Sequence, residues 1–284
     1  PYVFGITATP NAEQTEQIKV AGDMKFKVVN KFPKLNEIIH RTAWLRGVTT
    51  YNINNDDEVL DNFSSMVYST SEESTLYSKK SMLITSGRAD CTRGFTKEYV
   101  LEMLQCVIED QGFYDTKQWT IAVMTSDDTY LANANGAKYQ TTEKEIKRKL
   151  NDVDDPLTFM IVVEKGKVGM SIHNIGNYFS FRPRDPKDSK GNSITESPIQ
   201  IIGRLHRPYT GEPINDFVKK WGYDLTKYVK NCSEEEIEML KVTNSYNICV
   251  PDTAMWGAAI ETIKKSYSPT LSRATAWITK LRKK

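Results

Sequence analysis

Apolar positions recur along this chain with two spacings, and together they outline an α/β protein. Met82 to Thr85 is a short apolar run that reads as a strand, with Ser86-Gly87-Arg88 as the loop after it. From Thr96 to Gln111, the residues Tyr99, Val100, Met103, Leu104, Val107 and Ile108 fall on the period of a helix, and Gly112 ends it. Trp119 to Met124 and Phe159 to Val163 are continuous apolar runs, as strands covered on both faces require. Between them, Thr141 to Asn151 is a charged amphipathic helix that opens on a capping-type Thr-Thr-Glu-Lys-Glu. Tyr178 to Phe181 is a fourth strand, and Ser197-Pro198 starts another helix with serine at the cap and proline in the first turn. Strands alternating with helices predict an α/β layer built on a mainly parallel sheet flanked by helices.

The flanks are less regular. Val3 to Ile6 reads as a strand that stops at Thr7-Ala8-Thr9-Pro10, residues 11–25 as a polar linker, and Lys25 to Phe32 as an alternating strand. Residues 35–80 give no decisive pattern beyond a loop at 52–57 (NINNDD), and residues 184–196 form a mobile polar loop. After residue 232 the spacing is helical only, over 233–243, 251–265 and 269–282. The expected division is therefore four parts. Residues 1–10 end a preceding domain, 11–79 are linker and unassigned, 80–231 are the α/β domain, and 232–284 are an appended helical extension.

Composition changes this picture little. Hydrophobic residues at 39% and charged residues at 26% of 284 are those of an ordinary globular protein. No apolar run approaches the ~18 residues of a membrane span, and the N-terminus has no signal-type leader. A cytoplasmic location is the expectation. Cys91, Cys106, Cys232 and Cys249 are far apart, as are His40, His173 and His206, so no metal site is expected. The net charge of +2 hides an asymmetry, because Lys264 to Lys284 holds seven Lys or Arg and no acid. Such a tail suits a phosphate backbone or a solvated helix end. A chain that starts at Pro1 in place of Met suggests that something preceded it.

The strongest chemical signal is Gln200-Ile201-Ile202-Gly203-Arg204-Leu205-His206-Arg207-Pro208. On a helix, positions 200, 204 and 207 lie within about 60° of one another, while Ile201, Ile202 and Leu205 share a face suited to packing on the sheet. Gly203 removes a side chain beside the polar stripe. Two guanidinium groups on one face suit a polyphosphate, since each keeps its charge and can place two parallel donors on phosphate oxygens.

This segment resembles motif VI of superfamily 2 DEAD-like helicases, Q-x-x-G-R-x-x-R, at all four defining positions. The resemblance implies that Arg204 and Arg207 are arginine fingers, with Gln200 and Gly203 at the same ATP interface. Lys165 to Ile175 resembles motif V of the branch containing type III restriction subunits and phage helicases, through Lys165, Lys167, Gly169 and Asn174. Val168, Met170 and Ser171 depart from that pattern. Gly169 and Ser171 would lie by the nucleotide, and Lys165 and Lys167 by nucleic acid. Without the resemblance, residues 159–172 could instead turn back as a β-hairpin at Lys165-Gly166. Thr7-Ala8-Thr9-Pro10 resembles motif III, which makes Thr7 and Thr9 coupling residues. Ser86 and Arg88, and Thr125 and Ser126, occupy the places of backbone-binding loops.

The implied fold is a RecA-like C-terminal motor domain. Its ATP and Mg²⁺ would be held mainly by an upstream RecA-like domain, because no GxxxxGK[ST] occurs in the chain. DNA or RNA backbone would be its track, and the chain alone is expected to be inactive. The competing expectation is a stand-alone nucleic-acid-binding module that uses the basic C-terminal segment and has no ATPase activity.

Overall fold

The computed structural model describes residues 44–76, 80–86, 95–125, 127–163, 174–181 and 245–261, with residues 172, 198, 205 and 233 singly. Eight strands form one sheet: β1 (Trp44–Tyr51), β2 (Ser81–Thr85), β3 (Ile121–Met124), β4 (Thr129–Ala132), β5 (Lys138–Gln140), β6 (Phe159–Val162), β7 (Ile175–Ser180) and β8 (Ser245–Pro251). Their order across the sheet is β1-β8-β7-β2-β6-β3-β4-β5. All pairings from β1 to β3 are parallel, and β3-β4-β5 is an antiparallel meander. The expected mainly parallel α/β layer is therefore present.

Strict alternation along the central strands separates two cores. Met82, Ile84, Ile121, Val123, Phe159 and Ile161 face α1 (Asp56–Leu76) and α2 (Lys97–Gln111). Leu83, Ala122, Met124, Met160 and Val162 face the other way. They meet Ile146 and Leu150 of α3 (Glu143–Asn151), and Met255, Trp256 and Ile260 of a helical stretch at 254–261. A strand buried on both faces gains on each, at about 1.5–3 kcal/mol per large apolar side chain, so these short runs suffice to hold position.

The helix boundaries follow from local chemistry. Thr96 Oγ1 accepts from the Tyr99 amide at 3.4 Å to start α2, and Thr142 Oγ1 accepts from the Glu145 amide at 3.2 Å to start α3. Gly112 closes α2 at φ +64°, a left-handed conformation that costs glycine nothing, with its amide on the Ile108 carbonyl.

Several expectations are corrected. The segment after 232 is not helical only, since β8 runs from Ser245 to Pro251 and lies between β1 and β7 in the sheet. Residues 44–76, unassigned from sequence, supply the edge strand β1 and the 21-residue helix α1, which begins inside the expected 52–57 loop. The strand expected at 178–181 starts at Ile175, and the β4–β5 hairpin was not anticipated. The hairpin alternative at 159–172 is excluded: β2 and β6, and β6 and β3, are hydrogen-bonded neighbours, so β6 has no free edge. The expected elements at 3–6, 11–25, 25–32, 184–196, 233–243 (residue 233 apart) and 269–282 lie outside the described residues. Among the described residues no helix is long and apolar enough to cross a membrane.

Candidate nucleotide and nucleic-acid interface

Six parallel strands end on one edge of the sheet, and ligands of open α/β sheets bind outside that carboxyl edge. The roots of the candidate loops are neighbours there. The Ser86 amide donates to the Val162 carbonyl at 3.1 Å, and the Val163 amide to the Met124 carbonyl at 3.1 Å. The loops after β2, β6 and β3 therefore leave the sheet side by side, in the order 86, 163, 125. The sequence places a backbone-binding candidate or the motif V match in each of them.

Two buried tyrosine hydroxyls bolt this edge. Tyr178 OH and Thr85 Oγ1 are 3.1 Å apart, which ties β7 to β2 at the start of the Ser86 loop. Tyr51 donates its hydroxyl to the Ser180 carbonyl, and its ring stacks on Phe179 at 5.4 Å. Burial, with smaller contributions from Cys249 and Tyr178, holds the Tyr51 phenol far above its ordinary pKa, so it stays a donor at any physiological pH. The Phe181 amide on the Thr85 carbonyl at 2.8 Å completes the strap. In the sequence pattern Thr85 and Tyr178 are strand positions without a further role, and Tyr51 has none. The available signal was a hydroxyl in or beside an apolar run, at the last turn of the chain before a loop.

Of the expected contact residues, Ser86 is 1% exposed, and its Oγ has no hydrogen-bond partner among the described residues. Thr125 is 8% exposed, and its Oγ1 accepts the amides of Asp127 at 3.2 Å and Asp128 at 2.9 Å. That hydroxyl shapes the turn that leads from β3 to Asp127 and Asp128. Asn174, at the end of the motif V match, turns inward and donates to the Leu150 carbonyl at 3.1 Å. Thr7, Thr9, Arg88, Ser126, Lys165, Lys167, Gly169, Ser171, Gln200, Gly203, Arg204 and Arg207 lie outside the described residues. Within the motif VI segment Leu205 is described: it is helical and fully buried in the core that also holds Tyr246, Ile248 and Trp256. Among the described residues no group of three or more His, Cys, Asp or Glu could hold a metal ion.

No protein-family model matches this chain, and no curated protein matches it significantly in sequence. Among solved structures it is similar to Saccharomyces cerevisiae Dbp5 bound to RNA and ADP BeF3, at 12% identity and a TM-score of 0.44. That match covers 97% of this chain and 54% of the other, so the chain spans about half the length of that relative. It is also similar to the C-terminal domain of the DEAD-box protein Dbp5, at 12% identity and a TM-score of 0.40, over 81% of this chain and 87% of that one. Similarity at that level says nothing of ligand or activity for this chain.

Proposed function

We propose that this chain is the C-terminal motor half of a superfamily 2 ATP-dependent helicase or translocase, with a RecA-like fold. Arg204 and Arg207 reach the triphosphate of an ATP–Mg²⁺ complex held mainly by an upstream RecA-like domain. Gln200 and Gly203 sit at the same surface, and Gly169 and Ser171 lie towards the nucleotide sugar. Arg88, Ser126, Lys165 and Lys167 contact nucleic-acid backbone from the three adjacent loops, whose roots Ser86 and Thr125 set. Thr7 and Thr9 couple the two sites. Alone, the chain neither hydrolyses ATP nor unwinds a duplex.

The burial of Leu205, in a helical conformation, carries this reading. On a regular helix, at about 100° per residue, positions 200, 204 and 207 fall between about 100° and 160° from position 205. That is the condition for one helix to pack on a sheet and still offer two guanidinium groups to a neighbouring domain. A planar, permanently charged guanidinium needs no proton transfer to act, and it stabilises the charge that develops on a transferring γ-phosphoryl group.

The test is nucleic-acid-stimulated ATPase in the protein carrying its upstream domain. Arg204→Ala and Arg207→Ala should each lower the rate by about 10³–10⁵ without unfolding the chain. Wild-type rates in both variants would remove the assignment.

A further inference from the structure

The two helices on one face of the sheet present an acidic surface, unlike α3 on the other face. α1 contains no lysine or arginine, and α2 has only Lys97, which pairs with Glu98 at 3.4 Å. Helical spacing sets Asp57, Asp61 and Glu72 in one exposed stripe along α1, and Glu98, Glu102 and Glu109 in another along α2. The buried residues of each helix, Val59, Phe63 and Val67 and then Val100, Leu104 and Ile108, lie on its opposite side. Within the α1 stripe, and just past the end of the α2 stripe, stands an apolar feature that solvation does not account for. Tyr68 of α1 is 47% exposed, Phe113 just after α2 is 36% exposed, and the two rings meet edge to face at 5.4 Å. An aromatic pair joining two helices, left open at the surface and rimmed by carboxylates, is the composition of an interface centre with a charged border.

We infer that this α1–α2 face docks a cationic, arginine-rich segment of a partner protein. An arginine or apolar anchor seats on the Tyr68–Phe113 pair, and flanking basic side chains meet the two acidic stripes. Charge complementarity selects this occupant. Two rows of carboxylates repel the phosphates of a nucleic acid, whereas guanidinium groups gain both from the carboxylates and from the faces of exposed aromatic rings. The inference stands apart from the motor reading, because it involves neither nucleotide nor the loops at the carboxyl edge of the sheet.

The probe is a synthetic 20-residue peptide with arginines on one helical face and a leucine anchor, titrated against the whole chain by fluorescence anisotropy at low and high salt. A sequence-matched peptide with glutamate for arginine, and a single-stranded oligonucleotide, serve as comparisons. The basic peptide should bind and the acidic one should not. Glu102→Gln with Glu109→Gln should weaken binding about tenfold. Tyr68→Ser with Phe113→Ser, which leaves the charge unchanged, should do the same, with the oligonucleotide's affinity moved by neither pair. Thermal melts of both double variants, expected to match the unmodified chain, check that the four surface changes leave it folded. Failure of the basic peptide to bind overturns the proposal. So does an affinity that follows the charge changes but ignores the aromatic pair, since that is unspecific attraction. Loss of ATPase in the arginine variants at 204 and 207 has no bearing on either outcome.

Discussion

A chain of side-chain amides crosses the sheet from β8 to α1. Asn247 Nδ2 donates to Asn177 Oδ1 at 3.0 Å, and Asn177 Nδ2 donates to Thr70 Oγ1 at 2.8 Å. Asn177 and Asn247 are direct register partners, and Gly47 lies opposite Asn247 on the far side. A Cβ at Gly47 would stand 2.8 Å from Asn247 Oδ1, so glycine there makes room for the amide. Buried polar chains of this kind are costly when broken, because the remaining partner is left unpaired. Asn177→Leu should therefore destabilise the chain by about 1–3 kcal/mol, read by urea denaturation. A smaller change would show that Thr70 and Asn247 find other partners. Cys249, on the same strand, has its thiol pushed up from 9.0 to about 12, chiefly by burial and then by the Glu58 carboxylate. A thiol that holds its proton more tightly when folded contributes stability that is full below pH 9 and falls as pH rises towards 12. The melting temperature should thus drop between pH 9 and 11, and less steeply in Cys249→Val. An equal slope in the variant would assign the loss to other groups.

At the scale of elements, the caps are the most exposed point of attack. Replacing Gly112, at φ +64°, with alanine should cost about 1 kcal/mol through backbone strain, and Thr96→Ala a similar amount through the lost cap. Both are measurable by thermal melts, and a neutral Gly112→Ala would mean that α2 ends differently. These same signals made α2 legible in the sequence, as the apolar runs did for β2, β3 and β6. α1 was hidden for a physical reason: its buried face carries Thr70 and Ser71 where apolar residues would mark a period. Their hydroxyls are satisfied within the helix, on the carbonyls of Met66 at 2.7 Å and Val67 at 3.0 Å. β8 was misread as helical territory because a central parallel strand is fixed by partners far away in sequence, β1 and β7. Asn247 also interrupts its apolar run. The β4–β5 hairpin did carry a signal, Asn133-Ala134-Asn135-Gly136, whose Asn133 side chain accepts from the Ala137 amide at 2.9 Å.

For the whole molecule, the arrangement separates tasks. The carboxyl edge of six parallel strands gathers the three candidate loops, and the hydroxyl bolts from Tyr51 and Tyr178 hold their roots. The α1–α2 layer covers one face of the sheet and carries exposed carboxylates at Asp57, Asp61, Glu98, Glu102 and Glu109. The opposite face carries α3, where Arg148 pairs with Glu145 at 2.8 Å and Lys149 with Asp155 at 2.9 Å. Of the proposed site, the sequence showed residue types and spacing, while the structure adds that three loop roots are adjacent and that Leu205 faces inward. The roles of the arginines follow from neither alone. An arginine finger acts on the transition state more than on bound ATP, and this distinguishes it from an arginine that only binds phosphate. The deciding measurement is single-turnover phosphate release by Arg207→Ala in the protein with its upstream domain, alongside the ATP dissociation constant of the same variant. The expected result is a rate constant lower by about 10³ or more with ATP affinity changed less than about tenfold. An unchanged rate constant, or a loss of affinity that accounts for the whole effect, would contradict it.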